Sequence, residues 1–128
     1  MIHPTVFGPR ERLSIAPDAV VNDALFNTVS GSITIEPTAF FGHGVSVLTG
    51  THDIHVFGMD RQRAIPPEGR DVVIEEGAWV SSNATVLGPC RVGAHAVVAA
   101  GSVVVHDVPA YAVVAGTPAR VVSNVDPR

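Results

Sequence analysis

One spacing constrains this chain more than any other feature. From Ile74 onward an aliphatic residue stands at every sixth position: Ile74, Val80, Val86, Val92, Val98 and Val104. Four residues after each comes a small or slim one: Ala78, Ala84, Cys90, Ala96, Ser102 and Val108. A helix repeats at about 3.6 residues and an isolated strand at about 2, so neither yields six successive hits at this spacing. A hexapeptide period is the signature of a parallel β-helix, in which short strands stack coil on coil. The aliphatic residue fills the prism interior, and the small one sits where the chain bends.

The period begins earlier, at Ile15 with Ala19 and Val21 with Leu25. Asn27 breaks it, and Ser30-Gly31-Ser32 shifts the register before it resumes at Ile35 with Ala39, Phe41 with Val45, and Val47 with Thr51. Three hexads make a triangular coil of about 18 residues, so the expected fold is all-β, a single β-helix domain (1–128) of about 4–5 coils. Residues 1–12 read as a lead-in or cap, and 123–128 as a loose tail. The largest interruption follows His52, where Val47 and Ile74 are 27 residues apart although one hexad needs only six. The segment from about 53 to 72 carries Gly58, Gly69 and the pair Pro66-Pro67, and reads as a loop projecting from one corner. Long loops in compact domains are mostly functional or disordered.

Composition narrows the functional classes. A net charge of −4 argues against nucleic acid and an anionic membrane surface as partners. Hydrophobic residues make up 46% and aromatics only 5%, which suits a core of small β-branched side chains. One cysteine excludes an internal disulfide and fits a reducing compartment. The absence of a long apolar run makes a cytoplasmic protein the expectation. A thin rod whose outer faces carry Val97, Ala99, Val103 and Val105 needs cover, and a triangular cross-section is best covered in a closed homotrimer.

Two motifs carry a family resemblance. One is Gly50-Thr51-His52-Asp53, followed by the loop and its return through residues 72–80. The other is Ala99-Ala100-Gly101-Ser102-Val103-Val104, leading through Asp107-Val108-Pro109 to Ala115-Gly116-Thr117-Pro118-Ala119-Arg120. Over roughly residues 15–122 the chain resembles the hexapeptide-repeat acyltransferases, in particular the maltose/galactoside and polysaccharide O-acetyltransferase branch. The resemblance implies a left-handed β-helix, a trimer, and acetyl-CoA as co-substrate in a groove between subunits, with no metal required. The left hand comes from the resemblance alone, since it runs against the usual right-handed crossover.

The same resemblance assigns residues. His52 aligns with the catalytic histidine, and an imidazole, with a pKa of about 6.5 in isolation, suits removal of a proton from an acceptor hydroxyl. Asp53, His55 or a backbone carbonyl are the alternatives for orienting it. Ser82 matches a donor-binding position whose N–H would suit the thioester oxygen. Ala100 and Gly101 match residues lining the pantetheine channel, and Arg120 a phosphate contact that Arg91 would share. Trp79, fifth after Ile74 and so outward-pointing, reads either as a further wall of that channel or as packing under the loop. Val105-His106 stands where relatives often have Thr-Lys. Asn22 matches an acceptor-binding asparagine, but Ser30 stands where those sugar acetyltransferases have an aspartate. Asn27 is a further pocket candidate, and Asp53 completes the substrate-binding set. Cys90 sits at an inward position, where a thiol is inert.

The expected function is acetyl transfer from acetyl-CoA to a hydroxyl of a sugar or glycan precursor, with His52 as general base. The alternatives are N-acetylation of an amino sugar, a non-catalytic trimeric scaffold, and a metalloenzyme of the γ-carbonic anhydrase type. The last needs converging imidazoles that the spacing of His52, His55, His95 and His106 does not supply.

Overall fold

The computed structural model describes residues 2–126. Its strands, in chain order, are β1 (Thr5–Phe7), β2 (Leu13–Ile15), β3 (Leu25–Asn27), β4 (Ile33–Ile35), β5 (Phe40–Phe41), β6 (Ser46–Leu48) and β7 (Val72–Ile74). They continue as β8 (Trp79–Val80), β9 (Thr85–Leu87), β10 (Cys90–Val92), β11 (Val97–Val98), β12 (Val103–Val104), β13 (Ala112–Gly116) and β14 (Ala119–Asn124). A six-residue helix, α1 (Gly58–Arg63), lies between β6 and β7.

These strands form three parallel stacks, one per prism face. Face A runs β1-β3-β6-β9-β12, face B β2-β4-β7-β10, and face C β5-β8-β11-β13 with β14 added at its end. The chain visits A, B and C in turn, which is a parallel β-helix. Among the described residues only the last pairing, β13 with β14, is antiparallel.

The hexad explains the packing. Side chains alternate across a strand, so the residues flanking an outward one both point inward. Ala78 and Val80 flank Trp79, and Ala96 and Val98 flank Val97; all four inward side chains are 0% exposed. Register then stacks like on like: Ile35 on Ile74 on Val92, and Val47 on Val86 on Val104. Every aliphatic of the opening hexad series is buried, as is every small partner. At the corners the chain enters the left-handed region at Asn22, Asn83, His95 and Gly101, residue types that tolerate it. Carboxylates fasten one coil to the next by accepting backbone N–H groups: Asp18 from Thr38, Asp71 from Ser32, and Asp107 from Arg91.

The structure corrects four local readings. The first coil starts at Thr5, because β1 pairs with β3, so residues 5–7 are strand and not merely a lead-in. Leu25 is not an inward residue. Ala24 and Phe26 are, and Phe26 aligns with Val47. The reason is a corner one residue short, with Asn22-Asp23 where the next coil has Gly42-His43-Gly44. Asn27 therefore interrupts no core position and faces outward, aligned with Leu48. Ser123 and Asn124 belong to β14, and the Val125 N–H donates to the Tyr111 carbonyl. Residues 127 and 128 of the expected tail lie outside the described residues.

Candidate active site

His52 stands at the corner between faces A and B, just past β6, where the chain leaves the stack for residues 53–71. This excursion is not structureless, since it contains α1. Its ends are tied to the rod. Arg70 Nε donates to the Thr49 carbonyl at 2.9 Å, and its N–H to that of Ser30 at 3.1 Å. One Arg12 nitrogen, Nη1, donates to the carbonyls of Thr28, Val29 and Pro67, joining the first coil, the second and the loop's return.

The loop orients the histidine. His52 Nδ1 lies 2.9 Å from the carbonyl oxygen of Arg61, in α1. A carbonyl only accepts, so Nδ1 carries a proton, and in the neutral ring the lone pair is then on Nε2. Of the three candidate partners, the backbone carbonyl is the one in contact. Asp53 turns into its own segment: its Oδ1 accepts from the His55 N–H at 2.9 Å, and its N–H donates to the Ala64 carbonyl.

An open pocket of about 210 Å³ is lined by Asn27, Val29, Gly50, Thr51, His52 and Ile65. It brings Asn27 to His52, although the two are far apart in sequence. The stack does this, by aligning Asn27 with Leu48 near the end of β6. Asn27 Oδ1 is held by the Val29 N–H at 2.9 Å. Asp53 and Asn22 do not line this pocket. Val29 and Ile65 were missed by the sequence reading, because neither carries a reactive group or lies within a hexad.

The donor-binding candidates lie elsewhere on the prism. Ser82, Ala100, Gly101 and also Asn22 occupy the corner between faces C and A, and Trp79 projects from face C. Ser82 Oγ accepts from the His43 N–H at 3.1 Å, while its own N–H donates to no group among the described residues. Asn22 Nδ2 donates to the Phe41 carbonyl at 2.9 Å. His43 is exposed, 3.6 Å from Asp23, whose carboxyl is held below its ordinary range by the Gly44 N–H first, then by its own N–H, with His43 contributing least. Trp79 is 43% exposed and stacks on Phe40 with ring centroids 5.8 Å apart. Arg120 projects from β14, three strands across from Trp79 and, because it pairs with Ala115 and not Val113, two residues further along the stack. Arg91, the other candidate for the phosphates, lies on face B of the same chain and pairs with Glu75. One chain thus carries the general-base candidate at one corner and the donor-wall candidates at another.

Two other groups are accounted for. Burial pushes the Cys90 thiol up to about 12, with Asp107 adding to the effect, which leaves it inert. The imidazoles are dispersed, with His95 against the Tyr111 ring at 5.3 Å, and no metal-holding cluster of His, Cys, Asp or Glu occurs among the described residues. No described helix is long and apolar enough to cross a membrane.

Such a rod, with a histidine oriented at a corner by a loop, is a hexapeptide β-helix with a candidate active site. Residues 71–106 match the family of the bacterial transferase hexapeptide (six repeats). Among curated proteins the chain is 37% identical over 125 residues to serine acetyltransferase 2 of Arabidopsis thaliana, covering 95% of this chain and 35% of that protein. It is 52% identical over 61 residues to 2,3,4,5-tetrahydropyridine-2,6-dicarboxylate N-acetyltransferase of Brevibacillus brevis, covering 48% of this chain and 26% of that protein. Among solved structures, a hexapeptide-repeat acetyltransferase of Vibrio cholerae complexed with acetyl-CoA superposes with a TM-score of 0.66 at 25% identity, covering 95% of this chain and 72% of that one. The chain carries the bacterial transferase hexapeptide repeat and is built like the hexapeptide-repeat acetyltransferases, a fold that fits the left-handed β-helix. It spans about a third or less of the length of the curated relatives it matches.

Proposed function

We propose that this chain transfers an acetyl group from acetyl-CoA to a hydroxyl of a sugar or glycan precursor, in the cytoplasm, by direct attack within a ternary complex. The observation that carries the reading is the His52 Nδ1 to Arg61 carbonyl hydrogen bond, which leaves Nε2 as the basic nitrogen of a histidine lining an open pocket. In the proposed step the acceptor hydroxyl gives its proton to Nε2 as its oxygen bonds to the thioester carbon. The carbonyl oxygen gains charge and is met by a backbone N–H, for which Ser82 is the candidate. The C–S bond then breaks, and the imidazolium returns its proton to the leaving thiolate. Asn27, beside His52, is the acceptor-binding candidate nearest the base. Asn22 and Asp53 would reach an acceptor only from outside this pocket.

Because base and donor wall occupy different corners of one chain, the reading requires a closed homotrimer. There His52 of one copy meets Trp79, Ser82, Ala100 and Gly101 of the next, and Arg120 takes the nucleotide phosphates. The fold similarity to an acetyl-CoA complex supports the donor assignment. An amine acceptor is the second reading, favoured by the likeness to an N-acetyltransferase, and the same base serves it. The test is thiol release from acetyl-CoA across sugars, nucleotide sugars and amines, with His52→Ala beside the wild type. A loss of about 10²–10⁴-fold is expected for the variant; release unchanged by the substitution would refute the mechanism.

A further inference from the structure

The carbonyl that orients His52 belongs to a residue whose side chain fastens the loop to itself. Arg61 Nε donates to the Val56 carbonyl and Nη2 to the Ile54 carbonyl, both at 2.9 Å. Its guanidinium carbon lies 4.9 Å from the centre of the Phe57 ring. All three partners precede α1, whereas the Arg61 carbonyl faces His52 from within it. One residue therefore closes the loop upon itself with its side chain and presents the orienting oxygen with its backbone. We propose that Arg61 is a positioning residue for His52: its guanidinium, holding the segment Ile54–Phe57 against α1, fixes its own carbonyl where His52 Nδ1–H can donate to it.

The inference rests on His52 serving as the base, and its physical content is separable from that role. Each Arg61 contact is exposed, so none is strong alone. They converge on one rigid fork, which a lysine ammonium cannot reproduce at two carbonyls. The backbone adds its own ties: the Arg61 carbonyl also accepts the Ala64 N–H at 3.3 Å, the Arg61 N–H donates to the Phe57 carbonyl at 3.4 Å, and the Asp53 N–H donates to the Ala64 carbonyl. None of these bonds reaches the carbonyls of Ile54 and Val56 that the guanidinium holds. With the guanidinium gone, the carbonyls of Ile54 and Val56 lose their side-chain tethers to α1, and the helical turn, its own backbone bonds intact, shifts as a unit and takes the Arg61 carbonyl away from Nδ1. The imidazole then turns, or takes the Nε2–H tautomer, which has no lone pair at the position needed for proton removal.

The test compares Arg61→Ala and Arg61→Lys with Arg63→Ala, a substitution in the same helix of an exposed arginine whose side chain makes no hydrogen bond or ion pair among the described residues. The readout is a ¹⁵N correlation spectrum of the imidazoles, with His52 identified by its loss in His52→Gln. Wild type and Arg63→Ala are expected to show His52 as the Nδ1–H tautomer. Arg61→Ala should show a substantial Nε2–H share, with Arg61→Lys between them and all variants melting as the wild type does. In the transferase assay kcat should fall about ten- to a hundred-fold in Arg61→Ala, with KM for acetyl-CoA unchanged. An unaltered tautomer in a folded Arg61→Ala overturns the proposal, even where activity falls. If Arg61→Ala does not fold, an unaltered tautomer in Arg61→Lys does the same. A tautomer shift in a protein that transfers no acetyl group would uphold the positioning and reject the transferase reading instead.

Discussion

The side-chain amide of Asn27 occupies the space that a Cβ on Gly50 would need: its Nδ2 and Oδ1 would each stand 2.7 Å from that carbon. Gly50 thus keeps Asn27 turned toward the pocket it shares with His52. The obstructing atoms end a short, partly exposed side chain, so Gly50→Ala displaces Asn27 rather than the backbone. The expected result is a raised KM for the acceptor with little change in melting temperature. Asn27→Ala should raise KM similarly, and adding Gly50→Ala to it should cost little more, since contacting residues fail to add. Fully additive effects on KM would show that Gly50 acts by another route.

The core makes a graded stability prediction. Ile74 is 0% exposed and lies between Ile35 on one side and Val92 on the other. Ile74→Ala should cost about 2–5 kcal/mol, as buried aliphatic truncations do. Ile15 aligns with Ile35 on one side only and is partly exposed at the end of the stack. Its truncation should cost about 1–2 kcal/mol. Denaturant melts of the two variants check the order; equal costs would mean that coils contribute alike wherever they lie in the stack.

That gradient also shows what the sequence could reveal. From Ile74 to Val108 each coil is complete and its corners are equal in length, so period and structure agree residue by residue. Val6 is an inward side chain with no periodic neighbour between Pro4 and Gly8, which hid the first strand. Leu25 was misread because the corner before it is a residue short, and only the partner strand reveals which of Leu25 and Phe26 turns in. His52 was legible through its motif and the interruption after it. Asn27 stands out as a polar residue within an aliphatic series, whereas Val29 and Ile65 do not, because stacking and chain reversal bring them there and neither leaves a spacing.

Cys90 gives a pH prediction. Its folded thiol is raised from 9.0 to about 12 by burial first and Asp107 second. The folded state thus favours the neutral thiol, a contribution fully present below pH 9.0 and lost as pH rises toward about 12. Wild type should lose more melting temperature than Cys90→Ala between pH 8 and 10.5 (about the span in which a free thiol ionises). At pH 8.5 iodoacetamide should label Cys90 slowly in the native protein and rapidly in denaturant, because the thiolate is the reacting species. Rapid native labelling would contradict the burial.

The separation of His52 from the donor-wall candidates yields the sharpest test of assembly. His52 stands at the A–B corner, while Ala100 and Gly101 stand at the C–A corner. If each site takes its base from one copy and its wall from the next, two inactive variants can complement each other. His52→Ala lacks the base; Ala100→Trp fills the wall with a ring at an exposed position. Each alone should be inactive. Unfolded together and refolded in equal amounts, they should regain about a quarter of wild-type activity, because in a ring with one kind of junction a random pairing unites an intact base with an intact wall one time in about four. Mixing the folded proteins without exchange should restore nothing. Activity absent after co-refolding, with mixed oligomers confirmed by mass, would mean that base and wall serve within one chain or that these corners do not meet.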